Sequence, residues 1–288
     1  MDLALFAVAA AALCSGSAAV LQASAVSRLP TSSVSAGFVL RLARSPRYLL
    51  ALVLVAGGFG LSIIALRTLP LFVVQAGRAS SLAITAVLSV LLLHARLRGV
   101  EIAAVLGIGA GLVLVALTAG PQGAPDVSTA TRLVLLGAVL LVAPVAGAVI
   151  RLANPTRAGL LLALLAGGCF GLLAVCARLL RGFAPATLIT DPAAWAGGIA
   201  GALGLLLGAL ALQRASVVSV TSAMVATETV LGAVLGMIIC ADRPAAGLAV
   251  PAAGGFALVL VGALVLARFG APETDADGHE EPAALPIG

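Results

Sequence analysis

Long apolar stretches separated by short polar breaks dominate this chain. Nine stretches reach the roughly 20 residues that a helix needs to cross a bilayer at about 1.5 Å rise per residue. The breaks between them carry turn residues, with proline at or just before the next helix. The pattern predicts an all-α membrane protein with nine transmembrane helices. The predicted spans are Leu3–Val26, Tyr48–Leu66, Pro70–Leu93, Gly99–Ala119, Thr131–Ile150, Ala158–Leu180, Pro192–Gln213, Ser216–Cys240 and Ala246–Ala267.

The amino-acid composition agrees with a chain that lies in a membrane. Of the 288 residues, 62% are hydrophobic and 9% are charged, and the mean hydropathy is +1.22. Ordinary soluble domains carry about a quarter charged residues. A soluble core of this size needs a polar shell that this chain cannot supply. The lipid bilayer is therefore the first partner that the sequence predicts.

The basic residues are all arginine, and the formal net charge is +5. They are scattered at the ends of apolar stretches and form neither a basic stripe nor an aromatic platform, which argues against nucleic-acid binding. The arginine bias, together with abundant Ala, Gly, Val and Leu, is typical of a GC-rich bacterial genome. The predicted location is therefore the bacterial inner (cytoplasmic) membrane.

The positions of the arginines predict the orientation. With the N-terminus outside, ten arginines fall on the cytoplasmic side and five on the outer side. Cytoplasmic loops carry the excess of positive charge in membrane proteins. We therefore expect an outer N-terminus and a cytoplasmic C-terminus. The outer set is Arg67, Arg132, Arg178, Arg181 and Arg243.

The chain also resembles itself. Ala65-Leu66 matches Ala211-Leu212 at an offset of 146, and Cys14-Ser15-Gly16 lies over Cys169-Phe170-Gly171 at an offset of 155. Spans one to four then correspond to spans six to nine, with the fifth as a spacer. Halves five spans apart enter the membrane from opposite sides, so the predicted fold is a 4+1+4 inverted-repeat bundle, the layout of many secondary transporters. The predicted parts are a first repeat over 1–119, a linker with the spacer helix over 120–156, a second repeat over 157–269 and a disordered acidic tail over 270–288.

On these features the sequence resembles the drug/metabolite transporter (DMT) superfamily over about residues 3–268. Within it, the arrangement is similar to the EamA-like members and to the branch with the NIPA-type magnesium transporters. The resemblance is carried by the four-plus-one-plus-four layout, the two Ala-Leu endings and the Cys-x-Gly at Cys169–Gly171. It implies secondary transport of a small solute or ion by alternating access.

Arg78 and Glu228 are the formal charges that fall well inside predicted spans. A charge at such a depth costs several kcal/mol unless it is paired or hydrated, which makes it a functional hypothesis. Counting about 1.5 Å per residue places both at about 12 Å from the outer boundary. The repeat maps Arg78 onto Met224, one helical turn from Glu228. We therefore predict that the two side chains pair.

Further polar residues accompany this pair. Gln22 and Gln75 carry primary amides, which are hard to satisfy within one helix, and Thr227 adjoins the glutamate. With Arg78 and Glu228 they form the predicted substrate or coupling site. Two interpretations of the charged pair stay open, a gate or binding site and a purely structural lock.

The sequence shows no motif for nucleotide binding, metal binding or catalysis. The sequence has no Walker loop or nucleotide fingerprint and no His/Cys/Asp cluster, so we expect no cofactor, no metal site and no enzyme. The functions that remain are a transporter of a small solute, a Mg²⁺ transporter of the NIPA type and a non-transporting membrane scaffold. Mg²⁺ ranks below an organic solute because Arg78 offsets the attraction of Glu228 for a cation. A homodimer is left open.

Overall fold

The computed structural model describes residues 2–26, 46–93, 98–120, 125, 127–182, 184–215 and 217–269. All regular secondary structure in these ranges is α-helical. The predicted disordered tail, 270–288, lies outside the described residues. The helices, numbered in chain order, are α1 Asp2–Val26, α2 Pro46–Ala65, α3 Leu71–Ala79, α4 Ser81–Leu93, α5 Gly99–Leu117, α6 Thr129–Leu152, α7 Pro155–Leu179, α8 Pro185–Thr190, α9 Pro192–Leu212, α10 Val217–Ile239 and α11 Ala249–Phe269.

Seven segments of the described chain are long and apolar enough to cross a membrane. Two further apolar stretches, Leu3–Ala18 in α1 and Leu49–Ala65 in α2, are shorter. The all-helical fold is thus confirmed in the described residues, with seven candidate membrane spans, and the full set of nine spans stays a prediction. The seven are Leu71–Leu88, Gly99–Leu117, Thr129–Arg151, Arg157–Leu179, Pro192–Leu212, Ser219–Ile239 and Ala249–Arg268.

The third predicted span is interrupted, which the apolar pattern did not reveal. Helix α3 ends at Ala79, Ser80 forms a turn, and α4 begins at Ser81. The Ser80 hydroxyl donates to the Gly77 carbonyl at 2.6 Å. Ser80 keeps helical dihedrals (φ −68°, ψ −14°), and its N–H still donates to the Ala76 carbonyl at 3.1 Å, so the helix is locally distorted here and not unwound. The distortion lies two residues after Arg78, beside the predicted site.

The helices pack both on neighbours in sequence and on helices far apart in sequence. Helix α1 packs on α2 and α4, and α7 packs on α9 and α10. Helix α3 packs on α10, and α5 packs on α11. Helix α6 lies against α9 and α7. The short helix α8, which the sequence pattern did not predict, contacts α9.

Glycines allow the closest of these contacts. A Cβ atom on Gly111 of α5 would lie 2.6 Å from the carbonyl oxygen of Gly255 in α11. On α7, a Cβ at Gly171 would lie 3.2 Å from the Glu228 carbonyl oxygen of α10. Small residues at such positions let helix backbones approach each other in a membrane.

Several of the turns between helices lie together at one end of the bundle. Helices α2, α5, α7 and α10 end there, and α3, α6, α9 and α11 begin there. The Ala245 backbone N–H donates across this end to the Thr118 carbonyl at 3.0 Å. We call it the Asp242 end, after the residue that follows α10. In the predicted orientation it is the outer end.

Candidate functional site

The candidate site lies where α3 packs on α10. Gln75 and Arg78 lie three residues apart on α3, and Glu228 and Gly232 lie four residues apart on α10, so each pair shares one helix face. A Cβ atom at Gly232 would collide with the Gln75 amide. Glycine at this position therefore makes room for the amide between the two helices.

Arg78 and Glu228 form an ion pair, as the sequence predicted. Nη2 of Arg78 lies 2.9 Å from Oε1 of Glu228, and the two side chains are 32% and 16% exposed. The contact is close, yet Oε1 is buried and lacks a hydrogen bond of proper direction from any described residue. Hydrogen bonding depends on alignment as well as distance. The carboxylate therefore keeps capacity for a further donor.

Gln75 is the second unsatisfied group of this interface. Its side chain is 1% exposed, and neither amide atom has a hydrogen-bond partner among the residues that the structure describes. A buried polar group without a partner costs about 1–3 kcal/mol. Such groups in native proteins are mostly met by water or another partner, and each exception calls for an explanation. The amide of Gln75 is therefore available to a water molecule or to a polar ligand.

Of the other two predicted site residues, Thr227 lies away from the ion pair, and the side chain of Gln22 is not among those described. Thr227 faces α7, where a Cβ at Gly167 would lie 3.0 Å from the Thr227 Cβ. Thr227 also lines a cavity of about 390 Å³ between α6, α7 and α10. The structure therefore does not bring Thr227 to the ion pair, although the two are adjacent in sequence. Gln22 lies in α1, and its side chain is outside the described residues.

Four cavities lie against the described helices, and the ion pair lines none of them. The largest of four, about 630 Å³, lies between α2, α7 and α9 and has an almost wholly apolar lining that includes Phe59, Leu173 and Trp195. The other three lie between α3, α10 and α11, between α6, α7 and α10, and between α5 and α11. Gln75, Arg78 and Glu228 line none of these four.

The Asp242 end holds a buried ion pair that sequence reasoning missed. Nη2 of Arg178 lies 2.7 Å from Oδ1 of Asp242, and the side chains are 1% and 0% exposed. Arg178 also donates to the Leu66 carbonyl, and the Leu71 N–H donates to Oδ2 of Asp242 at 2.5 Å. Burial raises the pKa of Asp242, although the Leu71 N–H and Arg178 work against that rise. The pair thus joins the end of α7 to the turn between α2 and α3.

The turn after α10 places this aspartate. Ala241 has a φ of 53°, in the left-handed region that non-glycine residues seldom adopt. The Asp242 N–H returns to the Gly236 carbonyl at 3.1 Å. A Cβ at Gly236 would lie 3.3 Å from Oδ2 of Asp242, so the carboxylate folds back over the helix end toward α3.

A second buried pair at the same end joins α6 to α9. Nη1 of Arg132 lies 3.0 Å from both carboxylate oxygens of Asp191 and donates to the Leu179 carbonyl at 2.6 Å. Asp191 caps α9 by accepting the Ala193 N–H at 3.0 Å. Burial raises the pKa of Asp191, but the N–H groups of Ala193 and Arg181 and the Arg132 guanidinium outweigh it, so the pKa lies below its ordinary value.

A sequence signal for these two pairs existed. Few acids lie outside the tail, and Asp191 and Asp242 both fall in breaks on the predicted outer side, where Arg132 and Arg178 also fall. A charged side chain near the end of a span can reach water, so the sequence position of these four residues did not indicate that they are buried. Matching scarce acids to arginines at the same membrane face predicts that both aspartates pair with outer arginines, but not which arginine each one contacts.

The fold and its buried charges define the class as a helical membrane protein with seven candidate spans. No family model matches the chain, and no match was found among curated proteins or solved structures. The resemblance to the DMT superfamily therefore stays a prediction. In the part of the chain that the structure describes, no three His, Cys, Asp or Glu side chains gather as metal ligands.

Proposed function

We propose that the protein is a secondary transporter that moves a small solute across the membrane by alternating access, with Arg78 and Glu228 in its binding site. The observation that carries the proposal is the α3–α10 interface. It holds a partly exposed ion pair and a buried amide whose two polar atoms lack partners. A structural lock between the two charges does not need a buried amide beside it, whereas a binding site can use its unmet donor and acceptor.

The helix packing supports the 4+1+4 inverted repeat and the predicted division at 1–119, 120–156 and 157–269. The contacts of α1 with α2 and α4 correspond to those of α7 with α9 and α10, and α3 with α10 and α5 with α11 join the halves. In inverted-repeat transporters the site lies near the repeat interface. The ion pair between α3 and α10 fits that position.

The buried Arg178–Asp242 pair supplies a closed gate in this proposal. Along α3 and α10, the interface runs from Asp242 and Leu71 past Gln75 to the Arg78–Glu228 pair. The first contact is sealed, whereas the last is partly exposed. Alternating access requires that one end be closed while the site is reachable from elsewhere.

A scaffold is the second candidate, favoured by the absence of the pair from the lining of the four cavities. A Mg²⁺ transporter is less well supported, because this ion is usually held by one or two carboxylates and several waters. Glu228 is one carboxylate with a guanidinium 2.9 Å away. Catalysis has no support in these groups, and we propose that the protein is not an enzyme.

The location belongs to the same proposal. We place the chain in the bacterial cytoplasmic membrane with the N-terminus outside and the C-terminus in the cytoplasm, on the arginine distribution. A C-terminal green fluorescent protein fusion is expected to fluoresce, and a C-terminal alkaline phosphatase fusion to be inactive. The opposite pair of results contradicts the orientation.

The function is tested by reconstituting the full chain into liposomes and screening radiolabelled cationic, anionic, zwitterionic and neutral solutes together with Mg²⁺. Transport predicts saturable counterflow of at least one solute above protein-free liposomes. A folded, correctly inserted protein that moves none of them contradicts the proposal and favours the scaffold. Movement of Mg²⁺ alone favours the magnesium alternative.

A further inference from the structure

The charges of the candidate site are balanced at close range. Nη2 of Arg78 and Oε1 of Glu228 lie 2.9 Å apart. A solute with one positive charge that binds Glu228 is also repelled by Arg78, which lies just behind the carboxylate, and an anion meets the reverse. Because Coulomb energies scale with the inverse of distance, the repulsion offsets a substantial part of the attraction for either kind of ion. A single charge therefore gains less here than it does at an unpaired charge.

From this balance we infer that the transported solute is a small zwitterion, an inference that rests on the proposed transport function. A zwitterion that lies antiparallel to the ion pair places its anionic group at Arg78 and its cationic group at Glu228. Both of its charges are then attracted. A guanidinium can hold a carboxylate through two parallel hydrogen bonds, which adds geometric selection.

The Gln75 amide gives an independent reason for the same class. It is 1% exposed and has both an unmet donor and an unmet acceptor. It lies one helical turn from Arg78, and its contact Gly232 lies one turn from Glu228. An ammonium donates to the amide oxygen, and a carboxylate accepts from the amide nitrogen. A zwitterion with a primary ammonium group therefore satisfies both atoms, which a simple cation or anion cannot do.

Entry of the solute requires the ion pair to separate. Oε1 of Glu228 is buried and has no directed hydrogen bond, so its bond to Arg78 is incomplete before the solute arrives. A ligand can shift the protein to the separated state only through tighter binding to that state. A solute that replaces both partners supplies this difference, whereas a monovalent ion leaves one charge of the partly exposed pair without its partner.

The inference is tested by thermal unfolding of the full chain in detergent with three probes of matched shape. These are β-alanine, n-propylammonium, which replaces its carboxylate by a methyl group, and butyrate, which replaces its ammonium by a methyl group. Glycine and 4-aminobutyrate vary the charge spacing. We expect a saturable rise in Tm with at least one of the three zwitterions, at about ten-fold or more lower concentration than with the two single ions.

Variants locate the binding. Arg78→Gln, Glu228→Gln and Gln75→Met are each expected to weaken the zwitterion effect by about ten-fold or more. Thr227→Val, on the other side of α10, is the matched control and is expected to bind as wild type does. A measurable unfolding transition in the absence of ligand shows that a variant is folded.

Equal or tighter binding of either single ion overturns the zwitterion inference and leaves the transport proposal intact. Binding that survives Arg78→Gln or Glu228→Gln, or no effect from any probe, overturns it as well. Failure of transport is separate, because it is read as the absence of counterflow for every solute in liposomes.

Discussion

Nη2 of Arg178 lies 2.7 Å from Oδ1 of Asp242, and both side chains are almost completely buried where α7 and α10 end. The carboxylate also accepts the Leu71 N–H, and the guanidinium also donates to the Leu66 carbonyl. One ion pair therefore holds three parts of the chain: the end of α7, the turn after α10 and the turn between α2 and α3. In the proposed mechanism this pair has to open and close.

Removing one partner of this pair leaves the other charge buried and alone. Breaking a buried ion pair in this way typically costs about 3–5 kcal/mol. Asp242→Asn is therefore expected to lower the Tm of the detergent-solubilised chain strongly. Arg181→Gln is the control, because this exposed arginine lies at the same end and its side chain bonds only to exposed Thr129. Equal Tm values for the two variants contradict the role given to Asp242.

Asp191 predicts how stability depends on acidity. Burial raises its pKa, but the Ala193 and Arg181 N–H groups and Arg132 outweigh this, so the folded pKa lies below the unfolded value of about 3.9. The stabilisation is complete above the unfolded pKa and is lost as the pH falls through the folded one. Below about pH 4, Tm is expected to fall more steeply in wild type than in Asp191→Asn. Parallel curves from about pH 7 to about pH 3 contradict this account.

The contact between α5 and α11 predicts a matched pair of glycine variants. A Cβ at Gly111 would lie 2.6 Å from the Gly255 carbonyl oxygen, whereas a Cβ at Gly109 meets nothing within 4 Å. Overpacking typically costs about 1–3 kcal/mol. Gly111→Ala is expected to lower Tm, and Gly109→Ala is expected to leave it unchanged or raised. The idea fails if Gly111→Ala is as stable as Gly109→Ala.

Gln75 predicts a conflict between stability and function. Gln75→Met keeps the length of the side chain and removes two buried atoms that lack partners. The expected gain is about 1–3 kcal/mol in stability, because an unmet polar group no longer has to be buried. Transport is expected to fall in the same variant. Thermal unfolding and counterflow measured on one preparation check both, and a variant that is less stable contradicts the unsatisfied state of the amide.

The apolar pattern predicted most helices because a membrane demands it. The backbone N–H and C=O groups of a lipid-facing stretch must form hydrogen bonds within the protein. A run of about 20 apolar residues in a membrane therefore forms a helix. The same pattern missed the local distortion at Ser80, since that residue keeps helical dihedrals and the stretch around it stays apolar. It also missed α8, which has only six residues.

Part of the candidate site could be predicted from the sequence for a related reason. Arg78 and Glu228 stand out because charges are rare at their depth, and their equal depth together with the internal repeat predicted their pairing. Thr227 was misplaced because residues adjacent on a helix point about 100° apart, and it faces α7 instead of α3. The missing partners of Gln75 depend on the Gly232 contact across two helices, which no local pattern contains.

Counterflow in liposomes compared across four proteins tests the central claim most directly. The proteins are wild type, Arg78→Gln, Glu228→Gln and the double variant, each reconstituted in amounts that match for folded protein. The account predicts saturable counterflow in wild type and at least about ten-fold slower flux in all three variants, because the solute needs both charges. Wild-type flux in the double variant would show that the Arg78–Glu228 pair is only a structural lock and would contradict the account.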